Sequence, residues 1–286
     1  MQPIFDPDLL LSRRRRALAI ADDGAQFLAR RAEEELAERL AAVDRVFEDA
    51  RVLFAERAEP AAIVAASGKA RRVLRVEDER LFRPGPGIAA ARPDPLPLEP
   101  ASIDLAVSLN RLDTVDDLPG ALIQIRRGLR PDGLFLGCMA GAGTLSELRE
   151  CLLEAEAALA GGAAPRVHPF ADVRDAGALL QRAGFALPVV DVDTVTVRYG
   201  SLESLMADLR AMGATNALLA RSRRPAPRAL FDLAGHLYAQ RFADADGRLR
   251  ATFTTIWMSG WAPSPSQPRP ARRGSATVSL ADVLKP

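Results

Sequence analysis

Ile103-Asp-Leu-Ala-Val-Ser-Leu109, Leu118-Pro-Gly-Ala-Leu-Ile-Gln-Ile-Arg-Arg-Gly-Leu-Arg-Pro-Asp-Gly133 and Leu134-Phe-Leu-Gly-Cys-Met139 decide the fold of this chain. The first and last are apolar runs of strand length. Between them Leu122, Ile125 and Leu129 recur at helical spacing, and Pro131-Asp-Gly133 reads as a tight turn. Asp117 stands where an N-cap belongs, with Pro119 in the first turn, where a missing N–H costs nothing. Strand, helix, turn and strand make a βαβ unit. A continuous apolar run means a strand buried on both faces, as in a parallel sheet.

The same signals spread outward. Downstream, Thr144-Leu-Ser-Glu147 reads as a capping box opening a helix to about Ala160, and Asp175–Ala183 as another helix closed by Gly184. Leu187–Arg198 alternates as a strand, Ser201 caps a helix ending at Gly213, Pro227–Phe242 is a further helix, and Ala251–Trp261 is the last strand. Upstream, Arg51–Ala55 and Arg72–Val76 read as strands flanking a short helix at Ala61–Ala66. Residues before 47 read as a helical extension, Arg13–Ile20 and then Gln26 to about Val46, with Phe27, Leu28, Leu36, Leu40 and Val43 on one face. The expected organisation is therefore an extension over 1–46, an α/β domain over 47–262 with a helical insertion at about 201–243, and a proline-rich tail over 263–286.

Composition sets bounds. Of 286 residues 48% are apolar and 26% charged, enough for a sizeable core, and a net charge of +1 gives no field to draw in nucleic acid. Only Lys69 and Lys285 are lysines, which reads as the coding bias of a GC-rich bacterial genome. Cys138 and Cys151 are too few for a disulfide framework and read as core residues; no spacing of His, Cys and acids suggests a metal site. No apolar run reaches membrane-spanning length and no signal-peptide core opens the chain, so the expected location is the cytoplasm of a bacterium, with room for contact at the inner face of the membrane. The run Arg13–Arg16 reads either as a solvated helix start or as a docking element for an acidic partner or anionic lipid.

Taken together, the strand–helix–Leu129-Arg-Pro-Asp-Gly133–strand order resembles the fourth and fifth strands of class I S-adenosylmethionine methyltransferases. Leu118-Pro-Gly-Ala-Leu122, Ala171-Asp-Val-Arg-Asp-Ala-Gly-Ala-Leu-Leu-Gln-Arg-Ala-Gly-Phe185, Leu205-Met-Ala-Asp-Leu-Arg-Ala-Met-Gly-Ala-Thr-Asn216 and Arg273-Gly-Ser-Ala-Thr277 resemble one branch of them. That branch holds the methyltransferase-like assembly factors of respiratory complex I, and it is similar to the malonyl-carrier-protein methyltransferases of biotin synthesis. The resemblance runs from about Leu96 to Leu280. It implies a doubly wound, mostly parallel seven-stranded sheet with the last strand antiparallel, and a ligand crevice at the carboxyl ends of the strands. It also implies S-adenosylmethionine as cofactor and either modification of an arginine on a complex I subunit or methyl transfer to a carrier-bound carboxylate.

The sequence departs from the pattern where chemistry is done. A glycine-rich turn should follow the first strand, because only glycine lets the backbone approach the cofactor and take a positive φ. Here the run is Val52-Leu-Phe-Ala-Glu-Arg-Ala-Glu-Pro60, with no glycine before Gly68; Glu56 or Glu59 would have to serve as its acid. The cofactor-binding candidates are Glu77 and Asp78, after the second strand, and Ser108 and Leu109 at the end of the fourth; Glu77 and Asp78 read equally as solvated surface. Ala89-Ala-Ala-Arg-Pro93 carries no acid before Asp94. Asp113 and Thr114 stand where the branch carries His-Trp, Gly141-Ala-Gly143 where it carries Gly-Gly-Asp, Ser146 where it carries His, and Ser264-Pro265 where it carries His-Glu. Asp113, Thr114 and the loop residue His168 are the candidate substrate contacts, and no catalytic residue is assigned. His236, Tyr199 and Trp257 read as packing or surface. Turn and packing positions are kept while proton-transfer residues are replaced, which points to a fold retained for binding a protein partner, such as a complex I subunit, with weak or absent catalysis. The alternative is an active methyltransferase or arginine-modifying enzyme.

Overall fold

A computed structural model describes residues 2–268; Arg273–Thr277 and the rest of the tail lie outside the described residues. Seven strands form one sheet in the order β3-β2-β1-β4-β5-β7-β6. Strands β1 (Phe47–Leu53), β2 (Ala70–Asp78), β3 (Ile88–Ala91), β4 (Ile103–Leu109) and β5 (Leu129–Ala140) run parallel. β7 (Leu249–Trp261) is inserted antiparallel between β5 and β6 (Ala186–Tyr199). The fold class expected from the sequence is the one observed.

Alternation along β5 shows why its apolar run is continuous. Leu134, Leu136 and Cys138 join Val52, Leu105, Val107 and Trp257 on one face, under α2 (Phe27–Ala41) and α3 (Glu59–Ala66). Phe135 and Met139 join the opposite face, with Leu122 and Ile125 of α4 (Leu118–Gly128) and Leu179 and Leu180 of α6 (Val173–Arg182). Both faces of the strand are dry, so no polar alternation survives in its sequence. A third cluster packs α5 (Ser146–Ala160), α7 (Leu202–Ala211) and α8 (Arg228–Phe242) around Tyr199, Leu249, Ala251 and Phe253 at the far end of β6 and β7. Tyr199 and Trp257 are both buried packing residues, Cys138 and Cys151 are buried free thiols, and His236 lies exposed on α8.

Several caps are as the sequence indicates. Asp117 accepts from the Gly120 N–H at 2.9 Å, and Ser201 and Ser204 close a reciprocal capping box. Asp172, which the sequence reading did not single out, accepts from the Asp175 N–H at 2.8 Å and starts α6 at Val173. Gly184 has φ +85° at the end of α6.

Three readings are corrected. The second helix ends at Ala41, short of Val46, because the chain must extend into β1; Lys69 Nζ donates to the Val43 carbonyl at 2.6 Å and holds that passage. Thr144-Leu-Ser-Glu147 is no capping box. Thr144 Oγ1 instead bonds the Thr254 backbone across to β7, donating to its carbonyl and accepting from its N–H, both at 3.0 Å. Glu147 reaches Thr252, and Leu145 enters the helix at φ +54°. Finally, the Pro131–Gly133 turn is a bulge inside β5, with Leu129 paired to Ile103 and Leu134 to Leu105. Its left-handed residue is Asp132 at φ +61°; Gly133 is needed for space.

The first helix, α1 (Pro7–Ile20), buries no residue fully and lies across the carboxyl-end side of the sheet. Phe5 anchors it, buried in front of it and bridged to Leu218, and the Asp6 carboxylate caps the helix and pairs with Arg221 at 2.8 Å. No helix among the described residues is long and apolar enough to cross a membrane.

Candidate functional site

A crevice of about 690 Å³ opens at the carboxyl ends of β1, β4 and β5. Its floor is the loop Phe54–Pro60, then Leu109, Asn110, Asp113 and Thr114 after β4, and Ala140 at the end of β5. α1 and α2 form one wall, α5 and α7 another, and the loop 166–170 with residues 212–216 closes the rim. Leu10, Leu28, Leu148, Leu152, Phe231 and Phe253 make much of its lining apolar.

The loop after β1 keeps an unusual backbone without glycine. Phe54 takes φ +53° and Glu56 φ +61°, two left-handed residues separated by one, in side chains that disfavour that region. Surrounding structure holds them there. The Phe54 N–H donates to the Val76 carbonyl at 2.7 Å and the Glu56 N–H to Glu77 Oε2 at 3.1 Å. Phe54 is 4% exposed and packs with Leu112, and the Arg111 guanidinium lies 6.0 Å from its ring centroid. The Glu56 carboxylate pairs with Arg14 Nε of α1 at 3.2 Å, and Arg14 Nη2 donates to Thr114 Oγ1 at 2.8 Å. Burial pushes the Glu56 carboxyl up to about 7; Arg14 opposes this, and the nearby Glu77 and Asp78 add to it.

The two acids that end β2 are both buried and both occupied. Glu77, fully buried, accepts from Arg75 Nη2 at 2.7 Å and Arg75 Nε at 3.1 Å besides the Glu56 N–H, and burial raises its pKa. Asp78 accepts from Arg80 Nη2 at 2.6 Å, Arg80 Nε at 2.9 Å and the Arg80 N–H at 3.0 Å. Burial works to raise it, but those arginine bonds prevail and hold it low.

Comparison with known proteins accounts for this frame. Residues 54–137 match the methyltransferase domain family. The chain is 42% identical over 190 residues to the mitochondrial arginine-hydroxylase NDUFAF5 of Danio rerio and 43% identical over 196 residues to that of Homo sapiens. Each alignment covers 66% of this chain, and 59% and 55% of those proteins. It is 36% identical over 197 residues to the malonyl-[acyl-carrier protein] O-methyltransferase of Laribacter hongkongensis, covering 66% of this chain and 61% of that protein. The YcgJ protein of Bacillus subtilis superposes with a TM-score of 0.55 at 12% identity over 81% of this chain and 99% of its own, a likeness of fold. The fold is that of the class I methyltransferases. It spans between half and two thirds of the length of the curated relatives it matches.

In that fold the crevice is the expected place for S-adenosylmethionine, and the residues here fit it poorly. The Glu56 amide is spent on Glu77, the Glu56 carboxylate on Arg14, and the two acids that could grip a ribose on Arg75 and Arg80. Glu77, Asp78 and Ser108 are buried behind the crevice floor, and of the four cofactor candidates Leu109 alone lines it. Glu59 also lines it and lies 3.5 Å from Arg57.

All three substrate-contact candidates border the crevice. Burial raises the Asp113 carboxyl, with Arg14 its opposing charge. His168 is buried: its Nε2 accepts from the Ala217 N–H at 3.1 Å, its ring meets Phe5 edge-on at 5.1 Å, and burial depresses its pKa to about 4. It is a neutral acceptor and holds the rim to the anchor of α1.

The sequence reading missed the inward turn of the arginine run. Arg14 reaches the floor, and Arg13 joins it in lining the crevice. Arg16 donates to Thr215 on the rim, and only Arg15 is exposed. It also missed Arg111, 9% exposed, whose Nε and Nη1 have no partner among the described residues. Arg111 follows a left-handed Asn110 after β4; an asparagine closing the apolar run Ile103–Leu109 was the available signal.

Proposed function

We propose that this chain is a methyltransferase-fold protein that holds S-adenosylmethionine weakly, has weak or absent catalysis, and acts by binding a protein partner, a complex I subunit being the class its branch suggests. The observation that carries the reading is the internal satisfaction of the loop. The amide of Glu56, its carboxylate and both acids at the end of β2 already have partners in this chain. A cofactor would have to displace them or leave its own polar groups unpaired, at about 1–3 kcal/mol each. The matched methyltransferase domain begins at this loop, which supports S-adenosylmethionine as the ligand class of the crevice; the geometry supports a loose hold.

A second reading, an active methyltransferase or arginine-modifying enzyme, is favoured by the open crevice and by the left-handed pair at Phe54 and Glu56, which keeps the backbone path of a cofactor loop. In it Glu56, ionising near neutrality, would be the proton acceptor. Calorimetry with S-adenosylmethionine and S-adenosylhomocysteine separates the two. The first reading expects dissociation constants above about 10 μM for both. Tighter binding, a free energy beyond roughly −7 kcal/mol, makes the second reading correct.

A further inference from the structure

In this chain most arginines near the crevice are paired with carboxylates. Arg14 takes Glu56, Arg57 takes Glu33 at 2.7 Å, and Arg166 takes Glu156 at 2.6 Å. Three arginines at its mouth differ. Arg13 and Arg16, one turn apart on α1, and Arg210, in the last turn of α7, have no carboxylate partner among the described residues. Arg13 and Arg210 line the crevice, and Arg16 is oriented beside them by a 3.0 Å bond to Thr215 Oγ1. Arg13 and Arg16 are partly buried, and the Nε atom of each is buried without an acceptor. The two helices meet closely: a Cβ at Gly213 would lie 3.4 Å from Ala17 and 3.6 Å from the Arg13 carbonyl. Burial and then Arg13 and Arg210 push the Arg16 guanidinium below its ordinary value.

These Nε atoms are withdrawn from water, and like charges gathered without a counter-ion repel one another. A folded protein tolerates such a cluster where an anion completes it, and guanidinium forks suit the two or three oxygens of a carboxylate or phosphate. Immediately inside the cluster the crevice wall is apolar, with Leu10, Leu28, Leu148, Leu152, Phe231 and Phe253. We propose that the seam of α1 and α7 binds a small amphipathic anion, its oxyanion head held by Arg13, Arg16 and Arg210 and its apolar body lying along the inner wall. The proposal rests on the reading that S-adenosylmethionine does not hold the crevice tightly.

Calorimetry on the full chain tests it with dodecanoate, dodecyl phosphate, dodecanol and inorganic phosphate, each below its aggregation threshold. Dodecanoate or dodecyl phosphate should bind at least about tenfold more tightly than dodecanol, and the tighter of the two names the head group. The Arg13→Gln/Arg210→Gln double variant should lose about tenfold or more for the anions and leave dodecanol unchanged. Arg228→Gln, whose side chain is 94% exposed, should change nothing. Dodecanol binding as tightly as the anions, inorganic phosphate binding as tightly as dodecyl phosphate, or a folded double variant with unaltered affinity overturns the proposal. The two readings fail separately. Tight S-adenosylmethionine binding with dodecanoate still bound in its presence removes the proposed function and leaves this site. Weak S-adenosylmethionine binding with no dodecanoate binding does the reverse.

Discussion

Glu56 sits where three pressures meet: a left-handed backbone, a carboxyl buried enough to ionise only near neutrality, and an arginine from a helix remote in sequence. Its folded pKa, about 7, lies above its ordinary value, so the fold favours the protonated acid. That contribution is complete below the ordinary carboxylate range and is lost as pH rises through about 7. His168 works in the opposite direction. Its folded pKa of about 4 lies below the ordinary value, so stability is present above the usual histidine range and is lost as pH falls through about 4. The two oppose each other in mildly acidic solution, and only a difference between variants isolates one. Glu56→Gln should be more stable than the wild type at about pH 8 by roughly 1–3 kcal/mol, with the gain shrinking or reversing at about pH 5. Urea unfolding of both proteins at the two pH values checks it; a constant difference would show that Glu56 is not held protonated by the fold.

Elements in this chain are often fixed by a single close approach. Gly133 in the β5 bulge shows how. A Cβ there would lie 2.9 Å from the Arg130 carbonyl, 3.0 Å from Leu129 Cδ2 and 3.1 Å from the Asp104 carbonyl, two of them backbone atoms that cannot swing aside. The bulge also aims Arg130, whose Nη1 reaches Asp104 at 2.8 Å and Asp49 at 3.1 Å and ties β4, β1 and the start of β5 together. Gly133→Ala should therefore destabilise by about 1–3 kcal/mol, the usual cost of overpacking. Gly162→Ala, at a position with nothing within 4 Å, should stay within about 0.5 kcal/mol. Thermal melts of the two variants rank them; equal melting temperatures would mean that the bulge relaxes freely.

On the scale of the molecule, α1 is the least secured part of the crevice. It buries no residue, and polar bonds hold it at Asp6, Arg14 and Arg16, with Phe5 as an apolar anchor in front of it. Strands β1, β4 and β5 are buried in two dry layers. Hydrogen exchange should show the α1 amides opening far faster than those of β4 and β5, which exchange only on global unfolding. Slow exchange throughout α1 would mean that the crevice wall is rigid.

The antiparallel last strand came with the family resemblance; the sequence by itself determined the βαβ unit at Ile103–Met139, the α/β class that follows from it and the caps at Asp117, Ser201 and Gly184. Those depend on local periodicity and on turn residues whose backbone demands are legible one segment at a time. The missing glycines at Phe54–Glu56 were equally legible. Tertiary structure alone decided what replaced them. Arg14 lies 42 positions from Glu56, Arg210 joins Arg13 in lining the crevice although remote from it in sequence, and Glu77 and Asp78 are claimed by Arg75 of their own strand and Arg80 just beyond it. Periodicity states that an arginine is on a helix face; which charge that face meets depends on how α1 crosses the carboxyl ends of the strands. Packing sets that crossing, through Phe5, Gly213 and the rim at His168, and no local pattern records it.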